Sequence, residues 1–553
     1  MQDYSVYAGH WVTLDEEQRV AGVGNTPEEA QRAGSSLRPK GRLRLARITA
    51  TAPHLALPAW PMEALRPLAH DLRLWLVGGA VRDLLLQRPA HDWDFVVEGR
   101  ATTLARRAAD TLGGAYMLLD AEHDTARAIV ADPETQQPVT LDFAGLRGAT
   151  LEDDLYARDF TLNAIALTPD GELVDPTGGQ RDIAERRIRM TTERSFIQDP
   201  ARLFRALRMA AELGFTIEAP ALDLMRSQAK GIESVAAERV RPELLRILQT
   251  ETATVSLRQA ETLGLLAHVL PEITALRQVE QSKPHHYANV LDHSYAVVAA
   301  VKVLLAQIYG RSPAALCLRE VAAPSWAWAR LKTALLPYQT ALLAYLAEPV
   351  TFESTRADLL SWGALFHDAG KAGTRTVEAN GTTHFYGHTE SSAGIVQMRF
   401  TELRFATKAQ LFVNRLVAEH MRLSTLSNGS LPLTRRAVYR FFRDTGDAGV
   451  AVVLLSLGDV LAVFGPQLPR DTWQRVLRVA TGLLAGAFIH SEVVVAPPQL
   501  LNGHDLQALG IEPGPRLGAL LEQLREAQAA GEVQTREQAE AFIQAASAAT
   551  EGE

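Results

Sequence analysis

The chain has 553 residues, of which 47% are apolar and 22% are charged. This composition is typical of a globular protein of three or four domains and excludes a disordered or fibrous one. The net charge of −8 excludes no class of partner, because nucleic-acid binding depends on local charge. The single cysteine, Cys317, excludes an intrachain disulfide and a thiolate metal cluster, and it favours a reducing compartment.

The first 57 residues are predicted to form a small β/α extension. "HWVTL" and "RVAGVG" predict a hairpin, "TPEEAQRAG" a capped helix and "RLRLARITA" a strand. The N-terminal "MQDYSVYAGHWV" lacks the basic start and apolar run of a signal peptide. We therefore expect a cytoplasmic protein.

Beyond the extension, the pattern of apolar residues changes from mixed to helical. Strands alternate with helices in residues 58–190, and helices dominate 191–282, 283–490 and the tail 491–553. The longest apolar run, 448–465, is interrupted by Asp459 and predicts a buried helix instead of a membrane span. In the tail, "GIEPGP" predicts a turn between helices that either caps them or contacts RNA phosphates.

Two acids stand on one predicted strand, "DWDFVVEG". Residues i and i+2 project from the same face of a strand, so Asp92 and Asp94 should lie side by side while Trp93 faces away. Adjacent carboxylates repel unless a cation lies between them, and Mg²⁺ prefers oxygen ligands. The alternative is a strand end whose acids simply reach solvent.

The stretch before this strand favours a nucleotide site. "LWLVGGAVRD" ends a strand at Gly78 and Gly79 and then opens a helix, which exposes backbone N–H groups suited to phosphates and makes Arg82 available for a phosphate contact. "VTLDFAG" offers a third carboxylate, Asp142, on a nearby strand, unless that residue only caps the strand end.

These motifs together resemble a known family. "GGAVRD…DWDF", "ARDFTLNAIAL", "DPTGGQRDI" and "QDPARLFRALRMAAELGF" follow in order the motifs of class II tRNA nucleotidyltransferases and bacterial poly(A) polymerases. The resemblance implies an α+β fold with a polymerase-β-like palm, a helical neck, an all-α HD domain and a helical tail. It also implies that Asp92 and Asp94 hold Mg²⁺, with Asp142 as a third catalytic acid, while the tRNA 3′-hydroxyl attacks a nucleoside triphosphate and pyrophosphate leaves.

The resemblance assigns nucleotide contacts to other residues. Asp159 and Asn163 match the ribose-reading segment, and Arg158 would meet the triphosphate, although a plain turn before a strand is the alternative. Asp199 and Arg202 share a helix face and match the pair that reads the edge of a base, unless they form only a surface ion pair. The family usually has Glu before this aspartate, where this chain has Gln198.

The length of one connection bears on which nucleotide is added. Only "GAT" separates "TLDFAGLR" from "LEDDLYARDFT". Relatives that add CCA or A generally carry a longer flexible loop here, whereas relatives that add only two cytidines typically lack it. The resemblance therefore implies CC addition from CTP, with CCA addition from CTP and ATP, or A or poly(A) addition, as the alternative.

A second set of polar residues lies within the helical block 283–490. Burial of the adjacent His-Asp pair in "LFHDAGK" would cost several kcal/mol unless a metal or a partner satisfied both groups. Imidazole and carboxylate ligands together suit a divalent transition metal. The set consists of His293, His367, Asp368, His388, His420 and Asp459.

This order of residues resembles the HD superfamily of metal-dependent phosphohydrolases. The resemblance implies that His293, His367, Asp368 and Asp459 bind the primary metal. His388 and His420 would hold a second metal or contact phosphate, and Lys371 would meet a phosphate. The implied substrates are 2′,3′-cyclic phosphates and 2′-phosphates at an RNA 3′ end. The alternatives are an HD fold without catalysis, an HD domain acting on free nucleotides, and an RNA-binding regulator whose transferase has lapsed.

Overall fold

The computed structural model describes residues 11–14, 20–24, 26–37, 44–47, 59–90, 92–282, 284–379 and 382–550. These residues divide into two compact units. Unit 1 comprises residues up to Gln198 together with Phe215–Ala221, and unit 2 comprises Asp199–Gly214 and everything from Leu222 onward. The N-terminal segment 1–10, His10 of the predicted hairpin included, lies outside the described residues, as do Arg19 and both ends of "RLRLARITA".

Unit 1 combines a small and a large sheet with short helices. Its elements are β1 Trp11–Leu14, β2 Val20–Gly24, α1 Pro27–Leu37, β3 Arg44–Arg47, α2 Ala59–Leu65, β4 Arg73–Val77, α3 Gly79–Leu85, β5 Asp92–Glu98, α4 Ala101–Leu112, β6 Ala115–Asp120, β7 Thr125–Ala131, β8 Pro138–Gly145, α5 Leu151–Tyr156, β9 Ala166–Leu167, β10 Leu173–Val174, α6 Gly179–Ala184, β11 Arg187–Ile188, α7 Ser195–Gln198 and, after the first helix of unit 2, β12 Thr216–Ile217.

The predicted N-terminal hairpin is confirmed. β1 pairs with β2 in antiparallel register and also with β3, so the three strands form a small sheet in the order β2-β1-β3. The predicted helix is α1, which packs against β1 and β2.

The large sheet has seven strands in the order β10-β9-β4-β5-β8-β7-β6. β5 and β8 are parallel, whereas the other neighbours are antiparallel. Helix α4 covers one face because its apolar residues recur with helical spacing and pack against β7 and β8. The strands predicted in "LWLVGGAVRD", "DWDFVVEG" and "VTLDFAG" are β4, β5 and β8. β6 was missed, because the apolar residues of "AYMLLD" remain half to largely exposed and show no alternation.

A cluster of apolar residues lies beside the acids of β5. Val77, Val96 and Leu155 pack with Ala164 and Ala166, and all five are buried. Because Leu155 belongs to this cluster, α5 is held against the sheet. The capping box formed by Thr150 and Asp153 fixes the start of that helix.

Unit 2 is almost wholly helical. Its elements are α8 Arg202–Leu213, α9 Ala219–Ser227 (which begins in unit 1), α10 Ala237–Gln249, α11 Ala253–Thr262, α12 Leu265–Val269, α13 Pro271–Ala275, α14 Val290–Ile308, α15 Ala315–Val321, α16 Ser325–Leu335, α17 Gln339–Ala347, β13 Pro349–Thr351, β14 Ser354–Thr355, α18 Arg356–Phe366, α19 Lys371–Thr374, β15 Thr376–Val377, β16 Thr383–His384, α20 His388–Glu402, α21 Thr407–Glu419, α22 Arg422–Asn428, α23 Arg435–Thr445, α24 Gly449–Phe464, α25 Arg470–Phe488, α26 Gly503–Ala508, α27 Pro515–Ala530 and α28 Arg536–Thr550.

The centre of unit 2 is built from long apolar helices. α14 packs against α18 and α24, and α21 packs against α18 and α24. Val290–Ile308 and Arg435–Gln467 are long and apolar enough to cross a membrane, but 89% of the apolar window in each is buried inside the fold. The prediction of a buried helix at 448–465 is therefore confirmed by α24. The block predicted as helical also contains two short ribbons, β13–β14 and β15–β16.

Candidate active sites

The two predicted acids of β5 lie on the same face of the sheet. Trp93 between them is buried, whereas Asp92 is exposed and Asp94 is half-buried. Burial raises the pKa of Asp94, and the nearby carboxylates of Asp142 and Asp92 raise it further, against the opposite effect of Arg158 and Arg127. This crowding of negative charge is the arrangement that a divalent cation relieves.

The third predicted acid, Asp142, lies on the neighbouring parallel strand. Its Cα pairs with that of Asp94 in the register of β5 and β8. On the next strand, Arg127 pairs with Asp142 and donates two hydrogen bonds to its carboxylate, at 2.7 and 2.8 Å. Two acids and one arginine thus stand in a row across three strands, and the arginine was missed in the sequence because nothing there indicates the register of β7.

The turn after β4 brings backbone close to these acids. Gly78 has a φ of +74°, and a Cβ built there would lie 3.2 Å from Asp94 Oδ2 and 3.4 Å from Arg158 Nη1. Gly79 begins α3, one turn before Arg82. Any larger residue at Gly78 would therefore be strained and would also crowd the predicted metal and phosphate groups.

Arg82 lies within a network of side chains. It donates to both carboxylate oxygens of Asp83, and its Nη1 donates to Asn163 Oδ1 at 2.9 Å. Asn163 in turn donates to Asp159 Oδ1 at 3.0 Å. The predicted phosphate-contacting arginine and the two predicted ribose-reading residues therefore form one connected set.

Arg158 is positioned by an aspartate that the sequence did not single out. Asp154 is fully buried, and its Oδ2 accepts hydrogen bonds from Nε and Nη2 of Arg158 at 3.0 and 2.9 Å. Its other oxygen accepts from the backbone N–H of Arg147 at 3.2 Å. Arg158, Asp94 and Asp142 line a cleft of about 940 Å³. The cleft thus combines carboxylate oxygens suited to Mg²⁺ with an arginine suited to phosphate.

The predicted base-reading pair begins unit 2. Asp199 Oδ2 lies 3.7 Å from Arg202 Nε, which is an ion pair and not a hydrogen bond. Arg239 donates to both oxygens of Asp199, at 2.9 and 2.8 Å. Burial raises the pKa of Asp199, but the hydrogen bond and charge of Arg239, the backbone N–H of Ala201 and the charge of Arg202 together lower it below its usual value. Arg239 was missed because it follows forty residues later on another helix, α10.

The predicted HD residues converge in the centre of unit 2. They come from α14, the end of α18, the start of α20, the end of α21, and α24. His293 Nε2 lies 3.1 Å from Asp459 Oδ1, and His367 Nε2 lies 3.2 Å from Asp368 Oδ2. The two histidine Nε2 atoms are 3.3 Å apart.

Asp368 is shared by two groups of potential metal ligands. One group is His293, His367 and Asp368, and the other is Asp368, His388 and His420. Within each group the ligand atoms lie within 4.8 Å of one another. Asp459, which the resemblance also assigns to the primary metal, belongs to neither of these two groups, although its Oδ1 lies 3.1 Å from His293 Nε2.

The orientation of the imidazoles fits a metal site. His367, His388 and His420 each place Nδ1 within 2.9 Å of a backbone carbonyl, so that Nε2 points toward the acids. Burial lowers the pKa of His420 to about 4, which keeps its ring neutral, as a ligand must be. Among the described residues, His388 Nε2 is buried with no hydrogen-bond partner. These observations fit a divalent transition metal.

Lys371, the predicted phosphate contact, lies against the same acid. Its Nζ is 2.7 Å from Asp368 Oδ2 and donates to Gln281 Oε1 at 3.1 Å. Burial would raise the pKa of Asp368, but His367 and Lys371 outweigh that effect and hold the pKa well below its usual value.

The site opens into a cavity of about 380 Å³ that His285 also lines. His285 was missed because it stands in a polar loop.

Comparison with known protein families finds matches to three successive parts of the chain. The family described as "Poly A polymerase head domain" matches residues 74–189, and "Probable RNA and SrmB- binding site of polymerase A" matches 214–276. "HD domain" matches 337–447. The first match contains Asp92, Asp94 and Asp142, and the third contains four of the six predicted HD residues.

Two curated relatives cover most of the chain. An A-adding tRNA nucleotidyltransferase of Deinococcus radiodurans is 32% identical over 85% of this chain and 94% of its own length. A CC-adding tRNA nucleotidyltransferase of Thermus thermophilus is 32% identical over 84% of this chain and 92% of its own length.

Solved structures of CCA-adding enzymes share the fold. A complex with ATP has a TM-score of 0.56 at 19% identity and covers 89% of this chain and 96% of its own. The Thermotoga maritima CCA-adding enzyme complexed with tRNA has a TM-score of 0.51 at 19% identity, covering 88% and 95%. The predicted α+β class is confirmed. The chain belongs to the tRNA nucleotidyltransferase family and carries a poly(A) polymerase head domain, an RNA-binding region and an HD domain.

Proposed function

We propose that this tRNA nucleotidyltransferase adds cytidines, from CTP, to tRNA 3′ ends. The observation that supports this choice is the connection between β8 and α5, which consists only of Leu146–Thr150. Both of its ends are fixed, because Arg147 donates to buried Asp154 and Thr150 caps α5. Relatives that add adenosine generally carry a long mobile loop at this position, and so short a connection leaves no room for one.

The proposed roles in the transferase site follow from its charges. Asp92 and Asp94 would hold Mg²⁺, with Asp142 as the third catalytic acid beside them, and the metal would supply charge stabilisation for phosphoryl transfer when bound. Arg158 and the backbone at Gly78 and Gly79 would bind the triphosphate. These groups align the nucleotide so that the tRNA 3′-hydroxyl meets its α-phosphate and pyrophosphate can leave.

Nucleotide identity would be read by the other predicted residues. Asp159 and Asn163, joined to Arg82 by hydrogen bonds, would recognise the ribose. Asp199 would accept from the cytosine amino group while Arg202 donates to the ring acceptors. Arg239 keeps Asp199 ionised and therefore able only to accept hydrogen bonds, which suits the cytosine amino donor.

Incubation of the enzyme with tRNA and different nucleotides tests this proposal. With tRNA that ends at the discriminator base, we expect CTP alone to extend the RNA by two residues, and ATP with CTP to add nothing more. Extension by three residues with both nucleotides would identify a CCA-adding enzyme instead. Extension of a CC-ended tRNA by ATP, without any addition of CTP to the tRNA that ends at the discriminator base, would identify an A-adding or oligo(A)-adding enzyme.

We propose further that the HD domain is a phosphohydrolase for RNA 3′ ends that carry 2′,3′-cyclic phosphates or 2′-phosphates. The shared residue Asp368 supports this proposal, because it belongs to two groups of potential metal ligands and lines an open cavity together with His388 and His420. A divalent metal would activate water and polarise the phosphate when bound. Lys371 would neutralise phosphate charge at the edge of the cluster.

Hydrolysis of end-labelled RNA tests the second proposal. In the presence of Mn²⁺ or Ni²⁺, wild type should open a 2′,3′-cyclic phosphate to a monophosphate by adding water across one P–O bond, and Asp368→Asn should not. Asp92→Ala should keep the hydrolysis while losing nucleotide addition. If wild type hydrolysed only free nucleotides, the RNA-end assignment would be wrong. A protein that bound tRNA but catalysed neither reaction would be a regulator.

The five-part division predicted at residues 57, 190, 282 and 490 and the cytoplasmic setting remain parts of this proposal. The division after 190 is supported by the head-domain match, which ends at 189.

A further inference from the structure

Two aromatic rings stand beside the HD cavity without a role in the cluster of metal ligands. The rings of His384 and Tyr386 are stacked, with centroids 5.1 Å apart and planes inclined by 12°. Both residues line the same cavity as Asp368, His388 and His420. Tyr386 is 71% exposed, although it lies only two residues before His388.

The stacked pair is held in place by its neighbours. His384 ends the β15–β16 ribbon, and its Nε2 lies 3.0 Å from Glu378 Oε1 on the other side of that ribbon. Phe385, between the two rings, lies 5.2 Å from Lys371 Nζ. The segment 384–386 is therefore anchored on one side to the ribbon and on the other to the lysine beside Asp368, while the outer ring faces solvent.

We propose that Tyr386, supported by His384, stacks on the base of the RNA 3′-terminal nucleotide whose phosphate enters the HD cluster. An exposed aromatic face in a cavity that is lined by apolar side chains as well as by Asp368 and Lys371 is suited to a nucleobase next to a phosphate. Such a face accepts any base because every base has a π-face. A cavity of about 380 Å³ is in the size range of small-ligand sites. This inference rests on the phosphohydrolase activity proposed above and identifies the part of the substrate that the domain recognises.

The contribution of the base to substrate recognition can be measured with two cyclic phosphates. Adenosine 2′,3′-cyclic phosphate and glycerol 1,2-cyclic phosphate present the same five-membered phosphodiester ring, with and without a base. In Tyr386→Ala, we expect the ratio of their kcat/KM values to fall by about 5- to 100-fold, the range measured for base–aromatic stacking. Tyr386→Trp should retain the ratio. Phe352→Ala, which removes a fully exposed ring elsewhere in unit 2, is the matched control.

A binding measurement separates this inference from the activity on which it rests. Calorimetry of the metal-loaded protein with adenosine, which has no phosphate to hydrolyse, should show weaker binding to Tyr386→Ala than to wild type by a similar factor, with glycerol as the baseless control. If both the kcat/KM ratio and this affinity were unchanged in Tyr386→Ala, the stacking site would be wrong. If wild type hydrolysed neither substrate, the phosphohydrolase proposal would fail, and the calorimetric comparison alone would uphold or overturn the base site.

Discussion

Asp154 is fully buried and binds the guanidinium of Arg158 with two hydrogen bonds, at 3.0 and 2.9 Å. The same carboxylate accepts the backbone N–H of Arg147 in the short connection after β8. Asp154 therefore links the short connection Leu146–Thr150, whose length bears on nucleotide choice, to Arg158 beside Asp94. The adjacent Leu155 packs into the apolar cluster next to the sheet.

Replacement of this acid tests its positioning role. In Asp154→Asn, Arg158 loses a charged partner worth about 1.5–3 kcal/mol, so kcat/KM for CTP should fall by about 10- to 100-fold. A higher KM for CTP in a variant that still folds would indicate that Arg158 holds the triphosphate.

The neighbouring exposed acid provides the control for that variant. Glu152→Gln lies on the same helix and should leave CTP kinetics unchanged. Thermal denaturation separates misfolding from mispositioning. If Asp154→Asn folded stably and kept wild-type kcat/KM, then Arg158 would need no support from this residue.

Arg127 should contribute, together with Arg158, to the acidic limit of the transferase reaction. The pKa of Asp94 is raised by burial and by neighbouring acids, and Arg127 acts in the opposite direction. A carboxyl group with a raised pKa becomes protonated at a higher pH than usual, and metal binding needs its ionised form. In Arg127→Met, the acidic limb of the pH–rate profile should therefore move to higher pH, with a higher Mg²⁺ requirement and roughly 10-fold lower kcat/KM at neutral pH.

The control for the pH profile is Arg194→Met, which removes an exposed arginine from the same unit. Profiles of wild type and Arg127→Met that superimposed would show that the cation does not tune Asp94.

The sequence singled out side chains that the fold brings together, but it did not reveal the residues that pair with them. Period-two alternation places Asp92 and Asp94 on one face of β5, and the motif order identifies the six HD residues. Arg127, Asp154 and Arg239 were missed because each acts through a contact fixed by sheet register, helix packing or distant helices. The strand β6 escaped prediction because its apolar residues are largely exposed, so they lack the alternation that burial imposes.

Loss of the shared ligand in the HD domain should affect both groups of ligands. Asp368→Asn should weaken Mn²⁺ binding on the order of 100-fold, whereas His388→Gln should weaken only one of two binding steps. Calorimetric titration of the metal-free proteins measures both. The exposed His504→Gln provides a control for a lost histidine. Equal effects of Asp368→Asn and His388→Gln on one step would show that only one metal binds.

Because Lys302 is buried, unit 2 should be more stable in alkaline solution than at neutral pH. Its Nζ is buried in α14 and donates to the backbone carbonyl of Leu248. Burial lowers its pKa to about 8, below the 10.5 of an unfolded lysine. Between pH 8 and pH 10.5 the unfolded chain binds more protons than the folded one, so the free energy of unfolding rises with pH. Below pH 8 the folded protein bears the full cost of burying the charged ammonium group.

Lys302→Met should remove this pH dependence and stabilise the protein at neutral pH by on the order of 3 kcal/mol, less the cost of the unpaired carbonyl. Urea unfolding at several pH values measures the difference from wild type. The exposed Lys332→Met should follow wild type. A Lys302→Met curve parallel to wild type between pH 8 and 10.5 would contradict the lowered pKa.

The most direct test of the transferase site is incorporation of radiolabelled CTP into tRNA that lacks its 3′ end, with Mg²⁺ present. Asp92→Asn and Asp94→Asn should each reduce incorporation by about 1000-fold or more while leaving RNA-end hydrolysis intact, because the metal would lose a carboxylate ligand. Asp110→Asn, an exposed acid on α4, should incorporate CTP normally. Wild-type incorporation by Asp94→Asn would contradict the assignment of these neighbouring acids as the metal-binding centre of tRNA extension.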